Sequence, residues 1–101
     1  MKAFQEQVGA WGDETFPHST PASVVAHLMD EVGELADDIA HANNDGIPSE
    51  AADCFLLLLH TAHKCGFDLQ EEAERKFLVN KGRRWGEPDE RGVVRHVEES
   101  S

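Results

Sequence analysis

Positive charge is scarce in this chain of 101 residues: nine Lys and Arg stand against twenty Asp and Glu, a formal charge of −11. A nucleic-acid polymer is therefore a poor partner, because its binders carry a basic footprint. A nucleotide delivered with its counter-cation is not excluded. Cysteine is also sparse. Cys54 and Cys65 stand eleven positions apart, which matches no zinc or redox spacing, and both read as reduced core or near-core residues. The longest apolar run, Cys54 to Leu59, is far too short to span a bilayer. The N-terminus lacks the apolar stretch of a signal peptide, so the expectation is a cytoplasmic protein with no membrane partner. No segment shows strand period and none repeats.

What is present is helical. Phe4, Val8 and Trp11 recur at i, i+4, i+7 and predict a short amphipathic helix over 2–11, with Gly12 to His18 turn-like. Thr20 followed by Pro21 is a helix start, Thr as N-cap and Pro at the first helical position. Val25, Leu28, Val32, Leu35 and Ile39 then form a stripe that fades near His41. Pro48 and Ser49 open the next helix, apolar on all sides between Ala51 and Ala62 and so expected to be buried around most of its circumference. Gly66 is placed to end it. Asp68 can cap a last helix from Leu69 to about Arg84, acidic at its start and basic at its end. The expected fold is all-α: one domain over 1–101, an antiparallel bundle of about four helices, with 86–101 a loosely ordered polar tail. Its core is small, and oligomerisation would help it.

Two acidic pairs, Glu31-x-x-Glu34 and Glu50-x-x-Asp53, flank the Asn43–Pro48 loop. The i,i+3 spacing puts each pair on one helix face. Folding at the loop brings the pairs level, since Glu34 lies about 9 Å and Asp53 about 7.5 Å from it at 1.5 Å per residue. A solvated helix face explains either pair alone. Four carboxylates sharing a partly desolvated space require a cation, and oxygen-only ligands suit Mg²⁺ or Mn²⁺. That combination points to phosphate chemistry. On the last helix Lys76, Asn80 and Arg83 recur at i, i+4, i+7, with Arg84 and Trp85 following. This face suits polyphosphate oxygens as well as it suits the helix dipole, with Lys76 paired to Glu72.

These residues carry a resemblance. His27-Leu-Met-Asp-Glu31-Val-Gly-Glu34-Leu-Ala resembles the EExGEL core of the MazG-like, all-α nucleoside triphosphate pyrophosphohydrolases. Glu50-Ala-Ala-Asp53 resembles their second acidic motif, and Lys76-x-x-x-Asn80-x-x-Arg83 their basic motif. The stretch from Asn80 to Asp89, running on to Gly92-Val-Val-x-His96, is similar to phage- and bacteria-type dATP/dGTP pyrophosphohydrolases, as are Gln7-x-x-x-Trp11 and Thr15-Phe16. Nearly the whole chain is covered. The resemblance implies a homodimer or homotetramer that hydrolyses nucleoside triphosphates to the monophosphate and pyrophosphate. It implies Mg²⁺ (Mn²⁺ as substitute) on Glu31, Glu34, Glu50 and Asp53, and Lys76, Asn80 and Arg83 facing the phosphates. Fifteen residues separate Glu34 from Glu50, a short loop that leaves less wall for discriminating bases.

On either ground Glu34 or Glu31 is the candidate general base, otherwise a direct ligand. Trp11, Phe16, His18 and Trp85 are candidates to stack on a purine, against the ordinary alternative of burial. His27 and His60 read as satisfied helix residues. Two other classes compete. One is a non-catalytic oligomeric helical module that binds a nucleotide or a partner protein. The other is a di-iron bundle, disfavoured because Asp38-x-x-His41 finds no counterpart in the next helix.

Overall fold

Thr20 shows how local chemistry sets the frame of this molecule. In the computed structural model, which describes residues 2–98, its hydroxyl accepts from the Ser23 N–H while the Ser23 side chain accepts from the Thr20 N–H, a reciprocal cap with Pro21 at the first helical position. Helix α2 runs from there over Pro21–Ala40. It is preceded by α1 (Lys2–Thr15) and followed by α3 (Gly46–Cys65) and α4 (Leu69–Lys81). Gly66, at φ +79°, ends α3 in the left-handed conformation expected of it. No helix among the described residues is long and apolar enough to cross a membrane.

Two compact units result, one through Gln70 and one from Glu71 onward. In the first, α2 and α1 both pack on α3, and the short turn at 41–45 folds α3 back along α2. Val24, Cys54, Leu59 and Ala62 form its buried apolar centre. Gln5 closes one end. Its amide donates to the Phe67 carbonyl at 2.7 Å and its side-chain oxygen accepts from the Leu69 N–H at 3.0 Å, so α1 is tied to the α3–α4 connection.

Three expectations are corrected here. Helix α1 continues through Gly12 to Thr15 instead of turning, because Gly9 and Gly12 are packing positions against α3. A Cβ on Gly12 would lie 2.6 Å from the His60 ring. Helix α3 begins two residues before Pro48, and in the single chain it is not buried all round: Phe55, Leu56 and Leu58 stay exposed, since α1 and α2 cover only two of its sides. The stretch after α4 is not a featureless tail either. In the second unit β1 (Arg84–Trp85) pairs antiparallel with β2 (His96–Val97). The Asp89 carboxylate organises the turn between them, accepting from the Arg91 and Val93 N–H groups at 2.9 Å and from the Arg95 guanidinium at 3.0 Å.

Candidate active site

Because α2 and α3 fold back on each other, the acidic faces of the two helices meet. Glu31, Glu50 and Asp53 each offer one oxygen, and those oxygens lie within 4.8 Å of one another. Glu34, one turn on from Glu31, is near enough for its carboxylate to hydrogen-bond with both Glu31 and Glu50. Glu31 also takes a 3.3 Å contact from His27 Nε2, one turn earlier on α2.

The electrostatics are those of a carboxylate group short of a cation. The hydrogen bond with Glu31 pushes Glu50 up to about 7, with burial and the negative charges of Glu34 and Glu31 adding to the effect. The same bond holds Glu31 below the usual carboxylate range. Beside them the buried Cys54 thiol is pushed up, first by burial and then by the charges of Glu31, Glu50 and Asp53. Glu50 Oε2 is enclosed and has no hydrogen-bond partner. An all-oxygen donor set that retains a proton and leaves one buried oxygen unserved fits a hard divalent cation.

The basic residues lie in the second unit. There Arg83 Nη1 donates to Asn80 Oδ1 at 3.2 Å, and the Trp85 indole N–H donates to the Asn80 carbonyl at 3.0 Å. Trp85 also stands edge-to-face with His96, 6.2 Å between centroids. Arg75, not Lys76, takes the Glu72 carboxylate, at 3.2 Å. In the first unit Trp11 and Phe16 meet edge-to-face at 5.6 Å, and Phe16 and His18 border a cavity of about 440 Å³ with His27 and His60.

One cluster escaped the sequence reading. Asp13, near the end of α1, receives His60 Nε2 at 2.9 Å, His63 Nε2 at 3.3 Å and Lys64 Nζ at 2.9 Å. Hydrogen bonds from His60 and Lys64 hold its carboxyl at about 2. The signal was Gly9-x-x-Gly12-Asp13 set against His60-x-x-His63-Lys64: two small residues and an acid on one helix, three nitrogen bases on another. Nothing local connects them.

Comparison with known proteins agrees with this geometry. The family model described as the MazG nucleotide pyrophosphohydrolase domain matches residues 19–84, a span that includes both acidic pairs and the Lys76–Arg83 motif. A dATP/dGTP diphosphohydrolase of cyanophage S-2L is 35% identical over 94 residues, covering 92% of this chain and 84% of the relative. A solved structure of the cyanophage S-2L MazG-like pyrophosphohydrolase, bound to dGDP and three catalytic Mn²⁺ ions per active site, aligns with a TM-score of 0.76 at 31% identity over 93% of each chain.

Proposed function

The chain belongs to the MazG nucleotide pyrophosphohydrolase family, and from that membership we propose a Mg²⁺-dependent enzyme that converts purine deoxynucleoside triphosphates to the monophosphate and pyrophosphate. The observation that carries the reading is the convergence of Glu31, Glu50 and Asp53 around the unserved Glu50 Oε2. The purine preference is supported by the dATP/dGTP activity of the cyanophage relative. The divalent cation is supported by the Mn²⁺ ions of the cyanophage structure.

Glu31, Glu50 and Asp53 are the proposed metal ligands, with Glu34 beside them. Bound divalent ions would neutralise the triphosphate and lower the pKa of a water. Glu34, which flanks the three converging oxygens, is positioned to take the proton of the attacking water, and Glu31 is the alternative base. Glu50 must give up its proton before it can serve as a charged ligand, so metal binding and deprotonation are one event. Lys76, Asn80 and Arg83 are proposed to contact the phosphates, where a guanidinium and an ammonium stabilise charge developing on pyrophosphate. Trp85, held against the Asn80 backbone, is proposed to support that contact.

We also propose a homodimer or homotetramer. Val25, Met29, Val32 and Ile39 line one face of α2 and remain 37–70% exposed in the single chain. An unpartnered apolar face of this kind marks a contact surface.

The deciding experiment incubates the protein with Mg²⁺ and each common ribo- and deoxyribonucleoside triphosphate and separates the products by ion exchange. Monophosphate plus pyrophosphate, abolished by a chelator and fastest with dATP or dGTP, is the expected result. Diphosphate plus phosphate would overturn the assigned bond cleavage. Binding without turnover would favour the non-catalytic module.

A further inference from the structure

Two side-chain atoms among the described residues are buried with no hydrogen-bond partner: Glu50 Oε2 and Ser19 Oγ. The first belongs to the acidic cluster. The second faces a different space, the cavity of about 440 Å³ under the α1–α2 connection, bordered by Phe16, His18, Ser19, Val24, His27 and His60. Its size is that of a small-ligand pocket.

The two orphans are neighbours through one residue. His27 borders the cavity, and its Nε2 lies 3.3 Å from Glu31 Oε1. A molecule whose phosphates lie at the carboxylates can therefore extend its other end into the cavity. The lining suits that other end and not the phosphates. It contains no Lys, Arg, Asp or Glu, so it has nothing to neutralise an anion and nothing to ligate a cation. It offers flat rings, aliphatic surface and hydroxyl groups, which match the faces and edge of a heterocyclic base.

The walls are also fixed. The His60 ring lies against Gly12, where a Cβ would clash with it, and donates from Nε2 to the Asp13 carboxylate at 2.9 Å. Phe16 is braced edge-on by Trp11. A pocket with locked walls and one unsatisfied hydroxyl is preorganised to select.

We infer that this cavity receives the nucleobase and that the Ser19 hydroxyl is its polar anchor, a specificity-determining contact. The inference rests on the reading of the acidic cluster as the triphosphate site. An occupied cavity satisfies Ser19 as a bound cation satisfies Glu50, so one substrate and its metal settle both orphans.

The test uses the full chain carrying Ser19→Ala or Ser19→Leu. The first removes the hydroxyl at little steric cost, and the second fills the cavity from the same point. Steady-state rates are measured on all four deoxynucleoside triphosphates with Mg²⁺, and Mn²⁺ affinity is measured without nucleotide. The expected result is a fall of about tenfold or more in kcat/KM for the best substrate in Ser19→Ala, with compressed ratios among the four bases and Mn²⁺ affinity within about twofold of the parent. Ser19→Leu should weaken all four. Unchanged ratios and KM values in both variants would overturn the inference while leaving the proposed activity intact. If the parent protein turns over nothing, the proposed activity fails by itself. The inference is then read from binding of dATP and dGTP in the presence of Mn²⁺: weaker binding to Ser19→Leu supports it, and equal binding overturns it.

Discussion

Glu50 on α3 and Glu31 on α2 share a proton: the hydrogen bond between them lifts Glu50 to about 7 and holds Glu31 below its ordinary range. The sign of the resulting pH dependence can be worked out for the metal-free protein. A carboxyl whose folded pKa is raised binds its proton more tightly when folded, so its stabilising contribution is complete below the unfolded value of 4.5 and is lost as pH rises through about 7. Glu31, shifted the other way, contributes above 4.5 and loses its contribution only on acidification. With a chelator present, the melting temperature should therefore fall between pH 5 and pH 8. Added Mg²⁺ or Mn²⁺ should reverse that fall and release protons near pH 7. Calorimetry in buffers of different ionisation enthalpy counts those protons. A chelated protein whose stability is flat or rising across this window would refute the shared proton.

Glu50→Gln makes the complementary case, because it fixes the uncharged state. This variant should lose the alkaline destabilisation of the metal-free protein and most of its Mn²⁺ affinity together. A variant that binds Mn²⁺ as the parent does would remove Glu50 from the ligand set.

Glu34 separates proton transfer from metal holding. If it is the base, Glu34→Gln should lower kcat by about 10²-fold or more, with helix content unchanged by circular dichroism and Mn²⁺ affinity reduced far less than in Glu50→Gln. Full turnover in Glu34→Gln would sink the assignment and shift the role to Glu31.

The α1–α3 seam yields a contrast between two glycines one turn apart. A Cβ at Gly9 would fall 2.0 Å from the His63 ring and one at Gly12 2.6 Å from the His60 ring, so both look prohibitive. The rings differ in freedom. The His63 side chain is 32% exposed and can swing away, whereas that of His60 is 5% exposed and pinned by Asp13. Gly12→Ala should cost about 1–3 kcal/mol as overpacking. Gly9→Ala should come closer to neutral, since replacing glycine within a helix regains up to about 1 kcal/mol. Urea denaturation of the two variants checks the order, and a costlier Gly9→Ala would refute the role given to His60.

What could be read in advance was what is local. Thr20–Pro21, the Gly66 stop and the i,i+3 acidic pairs each express themselves within one turn of helix, so they were legible and the structure shows them. Gly12 misled, because a glycine that ends a helix and a glycine that admits a neighbouring ring look alike until the neighbour is known. The Asp13–His60 contact joins positions 47 apart, and no spacing rule reaches that far. The β1–β2 pair is two residues per strand, too short to show a period. It is held by Asp89, whose partners lie two to six residues away across a turn. Ser19 drew no notice at all, since an orphan hydroxyl is a property of the packed structure.

The exposed face of α2 supplies the last test. Met29 is 70% and Val32 49% exposed in the single chain, although they sit on a helix whose other face builds the acidic cluster. If a second copy covers them, Met29→Asp and Val32→Asp each place a charge inside an apolar contact, where no partner offsets its desolvation. Light scattering should then show the parent at a multiple of the single-chain 11.2 kDa and both variants shifted toward that mass at micromolar concentration. Helix content should largely survive, because neither side chain belongs to the buried centre formed by Val24, Cys54, Leu59 and Ala62. A parent protein that runs at the single-chain mass would leave the face without a second copy and end the oligomer reading.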